Sequence, residues 1–214
     1  MTTTQNSQSQ SSMTPARALE LLADGNRRFQ AGSRENRNLL EQKAATAGGQ
    51  WPYAVVLSCI DSRVSSELIF DTGLGDIFSA RIAGNFVNDD LLGSLEFGCK
   101  VAGSKLIVVL GHSHCGAVKG ACDGVELGHL TAMLQKIQPA VKAVREPSQE
   151  SERNSNNPKF VARVARKNVD LAVDAIRERS EVLRDLEADG QIQIVGGMYD
   201  IESGAVEFYD GSLI

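Results

Sequence analysis

No stretch of this sequence approaches the roughly 20 apolar residues needed to cross a bilayer. A membrane-spanning protein is therefore not expected. The first dozen residues, Met1 to Ser12, are rich in Ser, Thr and Gln and lack the basic start and apolar run of a secretory signal. They read as a disordered tail over 1–13, and the expected location is cytoplasmic. No excess of basic charge exists either: 22 Lys and Arg against 27 Asp and Glu give a net charge of -5. Cations are interspersed with acids, as in Arg177-Glu178-Arg179, so the basic face of a nucleic-acid-binding protein is missing. The four cysteines, Cys59, Cys99, Cys115 and Cys122, are too few and too spread for a disulfide framework. No Cys-x-x-Cys pair is present, which argues against a four-ligand zinc clip. No internal repeat is found.

The 214 residues suit one domain with an ample core. Thr14-Pro15 marks a helix start, a capping hydroxyl followed by proline at the first helical position, and the helix is expected to run to about Gln30. A second short helix is expected near Leu39 to Ala45. Together these make residues 14–50 a helical arm that packs either on a partner subunit or on its own domain, ahead of a core over 51–214.

From Tyr53 onward, strands and helices alternate. Ala54-Val55-Val56-Leu57 and Leu106-Ile107-Val108-Val109-Leu110 are continuous apolar runs fit for strands buried on both faces. Residues 77–82 and 192–199 supply two more strands, and 206–209 a fifth, joined to the fourth as a hairpin through Ser203-Gly204. Helices are expected over 89–101, 115–122, 127–144 and most of 158–186, with a polar loop at 146–157. The fold class is α/β: about four parallel strands plus a C-terminal antiparallel strand, flanked by helices.

Chemistry concentrates in two short segments, Cys59-Ile60-Asp61-Ser62-Arg63 and His112-Ser113-His114-Cys115. Each begins just past a predicted parallel strand, and open parallel sheets bind ligands at that edge. Two thiolates and one imidazole form the ligand set of a zinc ion that keeps a position free for chemistry. His112 and Cys115 bracket a tight turn between Gly111 and Gly116. His114 at that spacing is an awkward ligand, and His129 reads as a surface or subunit-contact residue. Cys99 and Cys122 sit in helix-like patterns and read as small buried hydrophobes. Asp61 can accept a hydrogen bond from a metal-activated hydroxide or swing onto the metal and block it. Arg63, in a bidentate ion pair, would hold it away. Two thiolates offset most of the charge of the ion, so activity is expected to rise toward alkaline pH.

Cys59-x-Asp61-x-Arg63 together with His112-x-x-Cys115 resembles the signature of the β-class carbonic anhydrases, strongly over about Gln50 to Val125 and more loosely along the whole chain. The resemblance implies a zinc enzyme interconverting carbon dioxide and bicarbonate, assembled as a homodimer or homotetramer. It further implies that Gln50 reaches the substrate cleft, that Phe78 walls it, and that the amide of Gly116 donates to bicarbonate. Phe97 stands where some relatives have a tyrosine. Arg81 and Tyr199 match two positions of an inhibitory bicarbonate site found in part of the family, but its tryptophan position is Val56 here, and the only tryptophan, Trp51, lies elsewhere. No such regulatory site is therefore expected. A related hydrolase acting on carbonyl sulfide or carbon disulfide, and a non-catalytic zinc-binding homologue, are the alternatives.

Overall fold

The computed structural model describes residues 4–209. Its centre is a five-stranded sheet: β1 (Ala54–Ser58), β2 (Ile77–Arg81), β3 (Leu106–His112), β4 (Gln193–Tyr199) and β5 (Val206–Tyr209), in the order β2-β1-β3-β4-β5. The first four run parallel, and β5 pairs antiparallel with β4. From β1 the chain goes outward to β2, then returns to place β3 on the other side of β1. The gap between β1 and β3 is thus a topological switch point, where the loops leaving the two strands diverge and open a crevice.

Alternate residues of these strands feed two separate cores. Val55, Leu57, Ile107, Val109 and Ile194 face one side and pack with Val169, Val173 and Ile176 of a long helix, α9 (Pro158–Arg179), and with Leu183 and Leu186 of α10 (Glu181–Ala188). Ala54, Val56, Leu106, Val108 and Val195 face the other side and meet Ala18 and Leu22 of α2 (Pro15–Gln30). Leu106 through Leu110 are fully buried. Each such side chain contributes about 1.5–3 kcal/mol relative to exposure, which explains why the run reads as one continuous apolar block.

Of the two packings open to the N-terminal helices, α2 takes the one on its own domain. Thr14 caps α2 through a 3.2 Å bond from the Arg17 amide, and the buried face of α2 closes the sheet of its own chain. Upstream, where a disordered tail was expected, Asn6 caps a short helix, α1 (Ser7–Ser11). The Gln10 amide ties it down by donating to the carbonyls of Pro52 (2.9 Å) and Ala102 (2.8 Å). Those long-range bonds satisfy two loop carbonyls, a tertiary reward that composition does not disclose. α3 (Leu39–Thr46) leaves Leu39 and Leu40 exposed, while its buried Gln42 accepts from the Leu74 amide at 3.2 Å.

Other differences have local causes. A short helix, α4 (Ser66–Ile69), follows the first site segment. The helix over 89–101 is α5 (Asp89–Glu96) continued by one π-helical turn, Phe97–Val101. After α6 (Gly116–Cys122), the helix expected over 127–144 is split into α7 (Gly128–Leu134) and α8 (Gln138–Ala143). Pro139 starts the second piece because proline has no N–H to continue the first. The helix over 158–186 breaks at Ser180, whose hydroxyl accepts from the Leu183 amide and donates to Glu96. Among the described residues, no helix is long and apolar enough to cross a membrane.

Candidate metal centre and active site

Cys59 is the first residue after β1, and His112 is the last of β3. Those strands are hydrogen-bonded neighbours in parallel register, Ser58 opposite Leu110, so Cys59 and His112 emerge side by side at the switch point. Cys115 precedes α6 and brings the second sulfur back to the first. The two Sγ atoms are 4.0 Å apart, and the three ligand atoms all lie within 4.8 Å of one another. All three residues are buried, His112 completely. His114, at φ 59°, carries its ring outward to Glu202, 3.1 Å away on the surface. His129 is likewise exposed, Cys99 is buried in the core, and Cys122 is half-buried.

These residues fit a tetrahedral cation. Zn–S bonds of about 2.3 Å place two sulfurs roughly 3.8 Å apart, close to the separation seen. The His112 Nδ1 lies 2.8 Å from the Ser113 carbonyl, which fixes the ring and assigns Nδ1 as the protonated nitrogen. Its Nε2 is then a lone pair, fully buried and without a hydrogen-bond partner. An orphaned imidazole nitrogen beside two thiols is a donor set that a metal ion would satisfy.

The thiols are mutually dependent. The hydrogen bond with Cys115 pulls the Cys59 thiol well down, against the opposing effect of burial and with help from the Gly84 amide. The same bond, burial and the negative charge on Cys59 push Cys115 up. Two thiolates this close need a cation between them, and a divalent ion removes that conflict.

Beside the triangle, Asp61 is held by Arg63 through three bonds. The Arg63 backbone N–H and Nε donate to Oδ1 at 3.0 and 2.9 Å, and Nη2 donates to Oδ2 at 2.8 Å. This grip keeps the Asp61 carboxyl well below the usual carboxylate range, against a smaller contrary effect of burial. Arg81, at the end of β2, donates through Nε to the Cys59 carbonyl (2.9 Å) and through Nη2 to the Asp61 carbonyl (2.7 Å). It therefore clamps the loop that carries both residues. The Gly84 N–H donates to Cys59 Sγ at 3.3 Å. The structural role of Arg81 agrees with the absence of the inhibitory site's tryptophan, while sequence reasoning missed the Gly84 donor. The signal was the Gly84-Asn85 turn directly after a strand next to the first ligand segment.

The expected substrate residues are divided. Gly116 opens α6 next to Cys115 and is exposed. Gln50 precedes β1, and Phe78 lies opposite Val55 near the start of β2, edge-to-face with Phe97 at 6.2 Å. Both sit at the end of the sheet away from Cys59, so within one chain they do not line the metal triangle.

An open, mostly parallel α/β sheet with a Cys–His–Cys triangle at its switch point, beside an Asp–Arg pair, is compatible with a metal-dependent enzyme class. A family model described as carbonic anhydrase matches residues 54–206. Carbonic anhydrase 2 of Mycobacterium tuberculosis is 34% identical over 202 residues, 92% of this chain and 93% of that one. The solved β-carbonic anhydrase of Aspergillus fumigatus is 28% identical with a TM-score of 0.70, covering 82% of this chain and 83% of that one. A tetrameric β-carbonic anhydrase of Sordaria macrospora is 25% identical with a TM-score of 0.66, covering 77% and 84%. The chain belongs to the carbonic anhydrase family, in its β class.

Proposed function

We propose that this protein catalyses the reversible hydration of carbon dioxide to bicarbonate and a proton, with Zn²⁺ held by Cys59, His112 and Cys115. The observation that carries the reading is the buried three-ligand triangle beside a carboxylate restrained by arginine. Metal storage would need the first and not the second. Zinc bound by three protein ligands makes a water molecule acidic enough to act as a nucleophile.

The chain's own residues do the rest. Asp61, kept ionised by Arg63, is an acceptor only, so it orients the attacking oxygen through a hydrogen bond and does not deliver a proton. Arg63 occupies both carboxylate oxygens and so keeps Asp61 from reaching the metal. The Gly116 amide, next to Cys115 at the start of α6, donates to an oxygen of bicarbonate. Cys59 and Cys115 bring two negative charges to the cation, which shifts activity toward alkaline pH.

Gln50 and Phe78 take part in a cleft completed by a second copy of the chain. Their position away from Cys59 supports a role across a subunit contact, and the exposed Leu39, Leu40 and Phe97 supply apolar surface for a homodimer or homotetramer. A site built on adjacent reduced thiols suits the cytoplasm. Stopped-flow hydration of carbon dioxide by protein of known zinc content tests the reading, with light scattering for the assembly. One zinc per chain without hydration activity would refute it, and sulfide release from carbonyl sulfide in place of hydration would redirect it.

A further inference from the structure

We propose that the Gly84 N–H, fixed by the side chain of Asn168, is a built-in donor to the Cys59 sulfur that governs how tightly the site keeps its metal. Asn168 is a positioning residue for it. The inference rests on the reading of Cys59 as a metal ligand and adds what retains the ion once bound.

Four observations converge. The Gly84 amide donates to Cys59 Sγ at 3.3 Å. Gly84 has φ +82°, a conformation that side-chain-bearing residues rarely adopt, and a Cβ there would stand 2.5 Å from Ile137 Cδ1. Its carbonyl accepts a 2.7 Å bond from Nδ2 of Asn168, a residue of α9 that is 4% exposed. Finally, the turn is anchored to the ligand loop, because the Ile82 amide donates to the Ser58 carbonyl (3.1 Å) and Arg81 holds the carbonyls of Cys59 and Asp61.

The consequence is electrostatic. A thiolate facing another sulfur 4.0 Å away is better tolerated when an N–H disperses part of its charge. That N–H stays on the sulfur only while the φ and ψ of Gly84 are held, and the Asn168 bond fixes the following peptide through the Gly84 carbonyl. Asn168 reaches the Gly84 carbonyl from a helix seated in the main core, so the aim of the donor depends on a rigid element and not on a loop. Supporting groups of this kind alter metal affinity by about 10–100-fold when removed.

The test uses wild-type protein and three variants. In the full-length chain loaded with ¹¹³Cd²⁺, the Gly84 amide proton should show scalar coupling to the metal across the N–H···S hydrogen bond. Zinc release to a chromogenic chelator should be about tenfold faster in Asn168→Ala and in the space-filling Asn168→Leu. It should stay unchanged in Asn26→Ala. Asn26 is another buried asparagine that donates to two carbonyls, those of Ile69 and Gly204, so it controls for general destabilisation. An uncoupled Gly84 amide in cadmium-loaded protein overturns the proposal. Coupling with unaltered release overturns the role of Asn168, as does equal acceleration in Asn26→Ala. If the Asn168 variants do not fold, the wild-type coupling decides. Failure of the chain to bind either metal sinks the ligand assignment itself, a separate result.

Discussion

Removing the metal should lower the thermal stability of this protein measurably, and the structure sets the scale. A cation leaving the triangle abandons His112 Nε2, which is fully buried and has no hydrogen-bond partner. A buried polar atom without a partner costs about 1–3 kcal/mol. For a domain of this size, each kcal/mol moves Tm by about 2–4 °C, so that nitrogen alone accounts for roughly 2–12 °C. Mass action gives a similar figure, since free zinc at about 100 times its Kd stabilises the folded state by about 2.7 kcal/mol. The sulfurs add to it, since at 4.0 Å they must share a proton or repel. The assay is differential scanning calorimetry on zinc-loaded protein, on protein stripped by chelator, and on stripped protein with zinc restored, each with measured metal content. Stripping should lower Tm by at least about 5 °C and readdition should restore it, while a His112→Ala variant should respond to neither. Equal Tm values in loaded and stripped protein, with metal contents shown to differ, would refute the reasoning that the triangle is a coordination site.

Asp61→Asn should retain zinc yet lose about 10²–10³-fold in hydration rate, and Arg63→Ala should lose comparable activity by freeing Asp61; X-ray absorption of the zinc checks whether an added carboxylate oxygen accompanies the second loss. Asp71, fully buried, accepts 2.6 Å bonds from both Arg28 and Arg37. Burial alone would raise its carboxyl, but the Arg28 bond, the Glu35 amide and Arg37 outweigh it and leave it lowered. A lowered folded-state value contributes stability that is present above the unfolded value of about 3.9 and fades as pH falls through the folded one. Asp71→Asn should therefore destabilise by about 2 kcal/mol at pH 7, with the difference shrinking below about pH 4; urea titrations from pH 7 down to about pH 2.5 in which the difference is absent at pH 7, or does not shrink in the acid range, would contradict this. Gly111→Ala places a Cβ 2.5 Å from Val169 Cγ2 and 2.7 Å from Met198 Sδ, immediately before His112. It should cost about 1–3 kcal/mol and weaken zinc retention, both readable from unfolding curves and metal content.

Much of the fold was legible because burial on two faces leaves an unambiguous mark. Val55–Leu57 and Leu106–Leu110 are apolar at every position, and both became central strands. The candidate ligands were legible for a different reason: coordination chemistry restricts residue type so tightly that two cysteines and a histidine past strand ends stand out. Helix boundaries were less so. Ser180 ends one helix and caps the next only because Glu96, far away in sequence, receives its hydroxyl proton, and Gln10 orders its segment only because two loop carbonyls lie within reach.

The linear order of residues therefore determined the alternation of strands and helices, the ligand types, and the local Asp61–Arg63 pair, all of which depend on neighbours a few positions apart. The tertiary structure alone decided that β1 and β3 are adjacent, so that Cys59 meets Cys115 at 4.0 Å, and that Gln50 and Phe78 fall at the opposite end of the sheet. It also decided that Arg81, Gly84 and Asn168 converge on one cysteine. Strand order is set by how two layers of helices cover both faces of the sheet, a global packing problem with no local signature. Contacts that depend on it become visible only when the chain is folded.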